Sequence, residues 1–390
     1  MIDFDFAVPT KLYFGHNKEQ LIGQICKDGG YKRVFIVIGQ GSVKRNGLLD
    51  RVLASLNENA IQFEVLEGVR ANPTIDLCHK GIEMARAFSP NLILAIGGGS
   101  VIDTAKNIAC GYYYMGDSFD FNLHKASPKK ALPVGVILTI AASGSEMSNS
   151  CVIQDDEKKI KKGFNSELNR PVFAIENPKL TYSVSKTQTA YGIVDIMMHT
   201  LERYFNESSE NEPADRFAEG LLKSVINAAK VVIKNPTDYD ARAVLMLMSS
   251  YSHNGFTSLG KGSFLFVHQL EHALSGAYPE VAHGAGLAVL FPAWCKYYIN
   301  YNTEKFNQLA INVFDLHNRN PLENGKLAIA EFEKLFNLLE MPKTFADLGI
   351  DNPNIELMAN LMTNNGSSVI KHHLKDMDKE VAITIFKKCL

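Results

Sequence analysis

The chain changes its hydrophobic pattern once, and that change limits its fold more than any other feature. Up to about Pro178 short apolar runs recur: Val34–Ile38 before Gly39, Gln62–Leu66 near Gly68, Leu92–Ile96 before Gly97, Val134–Leu138 before Thr139, and Pro171–Ile175 before Glu176. Amphipathic stretches such as Gly47–Asn59 and Asp76–Ala87 separate them. Short, continuously apolar runs suit strands covered on both faces, and helices between them imply parallel crossovers. From Ser185 helical periodicity takes over, in Thr187–Phe205, Ala214–Ile233, Tyr239–Phe256 and Lys326–Leu339. The expectation is an α/β N-terminal domain over 1–182 with a mainly parallel, Rossmann-like sheet, and an all-α C-terminal domain over 183–390. A length of 390 residues exceeds one typical core and agrees with two domains.

Bulk properties narrow the partners. A net charge of −2 gives no electrostatic reason for nucleic acid or an anionic membrane as partner. The six cysteines are scattered with no CxxC pair, which points away from a redox dithiol and towards reduced thiols in a cytoplasmic setting. Met1–Phe6 lacks the basic region and apolar stretch of a signal peptide, and no apolar run approaches membrane-spanning length.

Three strand ends carry small hydrogen-bonding residues. Gly97-Gly98-Gly99-Ser100 follows a buried run and opens the helical stretch Val101–Ala109. Glycines admit close approach of a pyrophosphate, and the amides and dipole of a helix start favour its charge. Alone, the triplet reads equally as a tight strand-to-helix turn. Gly39-Gln40-Gly41-Ser42 and Thr139 with Ser143-Gly144-Ser145-Glu146 repeat the signal, and open α/β sheets bind ligands at the carboxyl ends of strands. This half is therefore read as dinucleotide-binding, although the GxGxxG spacing is absent. No acidic residue lies between Gly39 and Arg45, while Lys44 and Arg45 are basic. A ribose 2′-phosphate needs the carboxylate gone, so NADP(H) is expected, with NAD(H) second.

Three of the 11 histidines, His268, His272 and His283, fall within sixteen residues, and His199 follows Asp195 at a spacing of four. Residues four apart share a helix face. Asp195 with His199, His268 with His272, and His283 from a turn can aim at one point. Three imidazoles and a carboxylate suit one divalent Fe(II) or Zn(II), which makes the second half metal-binding and catalytic. Spacing leaves open which of His268 and His272 is the ligand. Each residue also has a plainer reading: Asp195 paired with Arg203, a solvated His-x-x-x-His face, or Lys161 facing solvent in the charged stretch Asp155–Lys162. His253, His317, His372 and His373 have no partner at informative spacing and receive no role.

Together Gly97–Lys106, Ser143-Gly144-Ser145-Glu146, Asp195-x-x-x-His199, His268-x-x-x-His272 and His283-Gly284 resemble the iron-containing (group III) alcohol dehydrogenase family, over nearly the whole chain. The branch it resembles is that of butanol dehydrogenases and broad aldehyde reductases. The resemblance implies Asp195, His199, His268 and His283 as metal ligands and His272 as a proton relay. It implies dinucleotide contacts from Gly39, Gly41, Ser42, Asn72, Gly97, Gly98, Gly99, Ser100, Thr139, Ser145 and Lys161. Asp103, taken as catalytic with His272, and Lys106 are expected close to the cofactor. Small alcohols and aldehydes as substrates and a homodimer follow from the same resemblance. Ser143 replaces the family's usual threonine, and Gln40 stands where relatives often have glycine. Lyases resembling dehydroquinate synthase, or glycerol dehydrogenase-like enzymes, are the alternative. The lyase needs a basic pocket, and no arginine occurs between Leu259 and Leu290.

Overall fold

The apolar runs of the first half become strands in the computed structural model, which describes residues 1–206, 211–262, 264–371 and 375–390. The strands are β1 (Lys11–Phe14), β2 (Arg33–Gly39), β3 (Gln62–Val69), β4 (Leu92–Gly97), β5 (Val134–Leu138), β6 (Ser150–Asp155), β7 (Ile160–Asn165) and β8 (Phe173–Glu176). Six form one parallel sheet in the order β1-β8-β5-β4-β2-β3, and β6 and β7 pair as an antiparallel hairpin. The expected fold class is thus observed. The two central strands have no exposed atom over Val34–Ile38 and Leu92–Ile96 because both faces are covered. Val34, Ile36, Ile38, Leu92, Leu94 and Ile96 pack with Leu48, Leu49, Val52 and Leu56 of helix α1 (Leu48–Glu58). Phe35, Val37, Ile93 and Ala95 point the other way, towards Ile82 and Ala85 of α2 (Ile75–Phe88) and Ile102, Ala105 and Ile108 of α3 (Gly99–Gly111). The two-residue alternation of a strand therefore feeds two separate cores.

The sheet order places a topological switch at β2 and β4. The chain leaves β2 for β3 on one side, crosses back to β4 on the other, and continues outward to β5. Connections departing in opposite directions leave a crevice beyond the carboxyl ends of these two strands.

Two compact units result. One comprises Ala7–Val184 with Thr237–Ser250, and the other Met1–Phe6, Ser185–Pro236 and Tyr251–Leu390. The second unit is helical. Its α4 (Lys186–Tyr204) starts where the Ser185 hydroxyl accepts from the Gln188 amide at 3.1 Å. Helix α5 (Tyr239–His253) is divided between the two units. Helices α6 (Phe266–Ala277) and α7 (His283–Tyr298) follow. Phe205, just past α4, packs against Trp294 of α7 and Phe306, with ring centroids 5.4 and 4.5 Å away. No helix among the described residues is long and apolar enough to cross a membrane. All six cysteines are buried and none is in a disulfide. Burial pushes their thiols up, to about 12 for Cys26, Cys110 and Cys389.

Candidate metal centre and dinucleotide crevice

In the α/β unit, the glycine turns lie at the switch point. Gly39 ends β2, and Gly41, at φ +106°, leads into the short turn that begins with Ser42. Gly97 ends β4, while Gly98, Gly99 and Ser100 open α3, whose start no side chain caps. Uncapped first-turn amides are a ready anion site. The glycines also serve the protein's own packing. A Cβ on Gly98 would lie 2.2 Å from Ile140 Cγ2, and one on Gly99 2.3 Å from Ser143 Oγ. The turn after β5 is thereby pressed against the glycine turn, and the Thr139 amide donates to Gly97 O at 3.1 Å.

Beneath this turn lies a buried polar network. Lys106 is fully buried, and its Nζ reaches Ser145 Oγ (2.8 Å), Ser148 O (3.1 Å), Ser148 Oγ (3.4 Å) and Ser150 O (2.8 Å). Ser145 Oγ donates in turn to Asp103 Oδ1 at 2.6 Å, and Asp103 Oδ2 accepts from the Val152 amide at 3.0 Å. Both oxygens of Asp103 are thus engaged in holding Ser145 and β6. Asn72 is buried with φ +54° in the loop after β3. Lys161 lies in β7 opposite Gln154 and is only 7% exposed, so it is not the solvated lysine that its charged surroundings suggest. Its charge acts on the Asp103 carboxyl. Lys44 forms an ion pair with Glu67 of β3, an acidic group that reading Gly39–Arg45 alone had missed.

In the helical unit, α4 supplies Asp195 and His199, α6 supplies His268 and His272, and His283 is the first residue of α7. The expected turn at His283 is therefore a helix start. Gly284 makes this position reachable: a Cβ there would lie 2.4 Å from Tyr191 O and 2.7 Å from Tyr191 Cα of α4. Asp195 Oδ1 faces His199 Nδ1 at 3.3 Å, His268 Nε2 at 3.4 Å and His283 Nε2 at 3.7 Å. One ligand atom from each of Asp195, His199 and His268 lies within 4.8 Å of the others. The His272 ring stands outside this group, its centroid 6.4 Å from that of His268 and 6.0 Å from that of His283.

Asp195 Oδ1, His199 Nδ1 and His268 Nε2 are buried and have no hydrogen-bond partner. Leaving such atoms unsatisfied costs about 1–3 kcal/mol each. One carboxylate oxygen and two imidazole nitrogens converging without donors fit a borderline divalent cation. Arg203 does not pair with Asp195, because its Nη1 donates to His199 O at 2.6 Å and Ser252 O at 3.1 Å.

Two glutamates brace the rings. Glu202 Oε2 accepts from the amides of Val267 (2.6 Å) and His268 (3.2 Å), at the start of α6, and Glu202 Oε1 meets His268 Nδ1. Glu271 meets His283 Nδ1 with one oxygen and Ser275 Oγ with the other. Carboxylates behind ligating histidines fix ring orientation and raise basicity. Neither glutamate was singled out from the sequence, although each follows a histidine of the cluster by three residues. His253, given no role above, packs its ring 4.0 Å from that of His199. His372 and His373 lie outside the described residues.

Burial, reinforced by the charges of His253 and His268, holds His199 well below the ordinary imidazole value and therefore neutral. At His268 burial also opposes protonation, but Glu202 and Asp195 outweigh it and carry the ring up to about 9. The field that favours a proton there also favours a metal cation.

This architecture has known counterparts. Residues 9–178 match the iron-containing alcohol dehydrogenase family, and residues 189–390 match the C-terminal domain of the Fe-containing alcohol dehydrogenase family. The NADH-dependent butanol dehydrogenase A of Clostridium acetobutylicum is 42% identical over 390 residues, covering 100% of both chains. The NADPH-dependent aldehyde reductase of Escherichia coli is 31% identical, covering 99% of both. The solved NADH-dependent butanol dehydrogenase A of Thermotoga maritima matches with a TM-score of 0.96 at 33% identity, covering 100% of this chain and 99% of that one.

Proposed function

The chain belongs to the iron-containing alcohol dehydrogenase family, and from that premise we propose a metal-dependent, NAD(P)H-linked enzyme for small primary alcohols and aldehydes such as butanol and butanal, acting mainly as an aldehyde reductase. The observation that carries this reading is the buried trio of unpartnered atoms on Asp195, His199 and His268. With His283 they are the proposed holders of one divalent ion, Fe2+ or Zn2+. When bound, that ion supplies a Lewis acid for the substrate oxygen, and the nicotinamide carries the hydride. Asp195 contributes the site's negative charge, while Glu202 and Glu271 hold the rings of His268 and His283 in place. His272, half-buried beside His283, is the proposed proton relay.

In the α/β unit, the proposed dinucleotide contacts remain Gly39, Gly41, Ser42, Asn72, Gly97, Gly98, Gly99, Ser100, Thr139, Ser145 and Lys161. The uncapped start of α3 supports a pyrophosphate there. Asp103 and Lys106 are assigned to holding the Ser145 turn rather than to the reacting atoms. NADP(H) is proposed as a carrier, with NAD(H) also accepted. Ser42 and either Lys44 or Arg45 are the expected 2′-phosphate partners. The Lys44–Glu67 pair is exposed, and exposed pairs contribute about 0–1 kcal/mol, so a phosphate can displace Glu67. A cytoplasmic homodimer completes the proposal.

The test is metal analysis of anaerobically purified protein, followed by NADPH and NADH oxidation with an aldehyde series. Metal-loaded protein inert with every aldehyde would overturn the reading. His272→Ala is expected to lower turnover by roughly a hundredfold while metal content stays intact.

A further inference from the structure

The contacts of Glu202 do more than hold a ring. A carboxylate only accepts hydrogen bonds, and this one accepts two backbone amides on Oε2 while meeting His268 Nδ1 on Oε1. The ring nitrogen facing it must therefore carry hydrogen. The other nitrogen, Nε2, points at Asp195 Oδ1 from 3.4 Å without a hydrogen bond. Resting on the metal site proposed above, we infer that Glu202 is a positioning residue that sets the tautomer of His268, holding a proton on Nδ1 so that Nε2 is the nitrogen that yields to the ion.

The two amides make this assignment testable. Val267 N and His268 N belong to the first turn of α6 and both point at the same carboxylate oxygen. In Glu202→Gln the amide oxygen has to occupy that place, since an NH2 group there would face two N–H donors. The NH2 group then falls opposite His268 Nδ1. A donor facing Nδ1 requires the lone pair on Nδ1, so the ring proton moves to Nε2 and is aimed at the metal position. The isosteric variant thus keeps the helix start and inverts the ligand. Glu202→Ala does the opposite: it strips both amides of their acceptor but leaves the ring free to adopt either tautomer against water. Both variants remove the same unit of charge, so the loss of long-range attraction for a cation is common to them.

Zinc affinity, measured by competition with a chelating dye, and melting of the metal-free protein together separate the roles. Affinity is expected to fall in the order wild type, Glu202→Ala, Glu202→Gln, by about tenfold and then about a hundredfold. Metal-free stability is expected to follow a different order, with Glu202→Gln close to wild type and Glu202→Ala below both. Zinc binding by Glu202→Gln equal to wild type, or tighter than by Glu202→Ala, would overturn the inference. Should Glu202→Ala fail to fold, the comparison of Glu202→Gln with wild type still decides it. Zinc-binding wild type that reduces no aldehyde when loaded with Fe2+ or with Zn2+ would defeat the dehydrogenase reading and leave this inference standing. Wild type that takes up neither Zn2+ nor Fe2+ would defeat both.

Discussion

Each unit buries a group of carboxyls, and the two groups are neutralised differently. In the α/β unit, Glu146 and Glu176 are fully buried, and the Ser250 hydroxyl lies 2.7 Å from a carboxyl oxygen of each. One hydroxyl has one hydrogen, so it donates to one carboxyl and accepts from the other, which must be protonated. Burial pushes both groups up, Glu176 further through the charge of Glu146, while Lys106 opposes the rise at Glu146. In the helical unit, Asp195 faces three imidazoles, and its Oδ1 has no donor. A proton joins the two carboxyls of the first group and leaves Glu146 Oε2 and Glu176 Oε2 without partners, whereas the second sets imidazole nitrogens around a carboxylate oxygen, as a cation requires. Burial of acidic residues alone does not identify a site. Both groups contain carboxyl oxygens without a partner; only the second brings two unpartnered imidazole nitrogens to the same point.

Removing the imidazole of His268 should break this contrast most severely. In His268→Ala the metal is expected to be lost and turnover to fall on the order of a thousandfold, as removing several kcal/mol of Lewis-acid stabilisation requires. Dinucleotide binding, read by NADPH fluorescence, should survive, since its proposed contacts lie in the other unit. Full metal content in this variant would mean that the imidazole is not a ligand.

Gly284→Ala perturbs the same centre through backbone rather than chemistry. Its Cβ has to displace Tyr191 or the start of α7, at about 1–3 kcal/mol, and His283 moves with that helix. Lower thermal stability together with weaker zinc binding is expected. A stability loss with unchanged zinc affinity would show that His283 tolerates the shift.

The smallest effect is expected at the protonated pair. A carboxyl whose folded value is raised contributes stability that is full below its unfolded value, near 4.5, and is lost as pH rises through the folded value. Glu176→Gln removes that dependence. Its urea stability should gain on wild type as pH climbs above 4.5, by at most about 1.4 kcal/mol per pH unit for one proton. Parallel stability curves for the two proteins would refute the shared proton.

The contrast also explains what could be read in advance. The central strands were legible because burial on both faces leaves only apolar residues in Val34–Ile38 and Leu92–Ile96. Four-residue spacing pointed to Asp195 with His199 because both sit on one helix, α4. Choosing His268 over His272 needed the family resemblance, since both lie on α6 and only their distances to the other rings separate them. Glu202 was invisible because its partner lies 66 residues away in sequence. His253 was passed over for the same reason, its contact with His199 being tertiary. β1 spans four residues with partly exposed side chains, and its apolar run, Leu12-Tyr13-Phe14, is too short to stand out. Lys161 looked solvated because its charged neighbours occupy the tip of the β6–β7 hairpin, while Lys161 itself lies within β7 opposite Gln154 and is buried.

The buried cysteines bear on the chemistry proposed for the molecule. Aldehydes are electrophiles that form thiohemiacetals with accessible thiolates. Here every cysteine sulfur is shielded by packing and held as the poorly nucleophilic thiol, with burial keeping Cys78, Cys151 and Cys295 especially hard to ionise. If aldehydes are reduced as proposed, burial denies them a cysteine thiolate to capture.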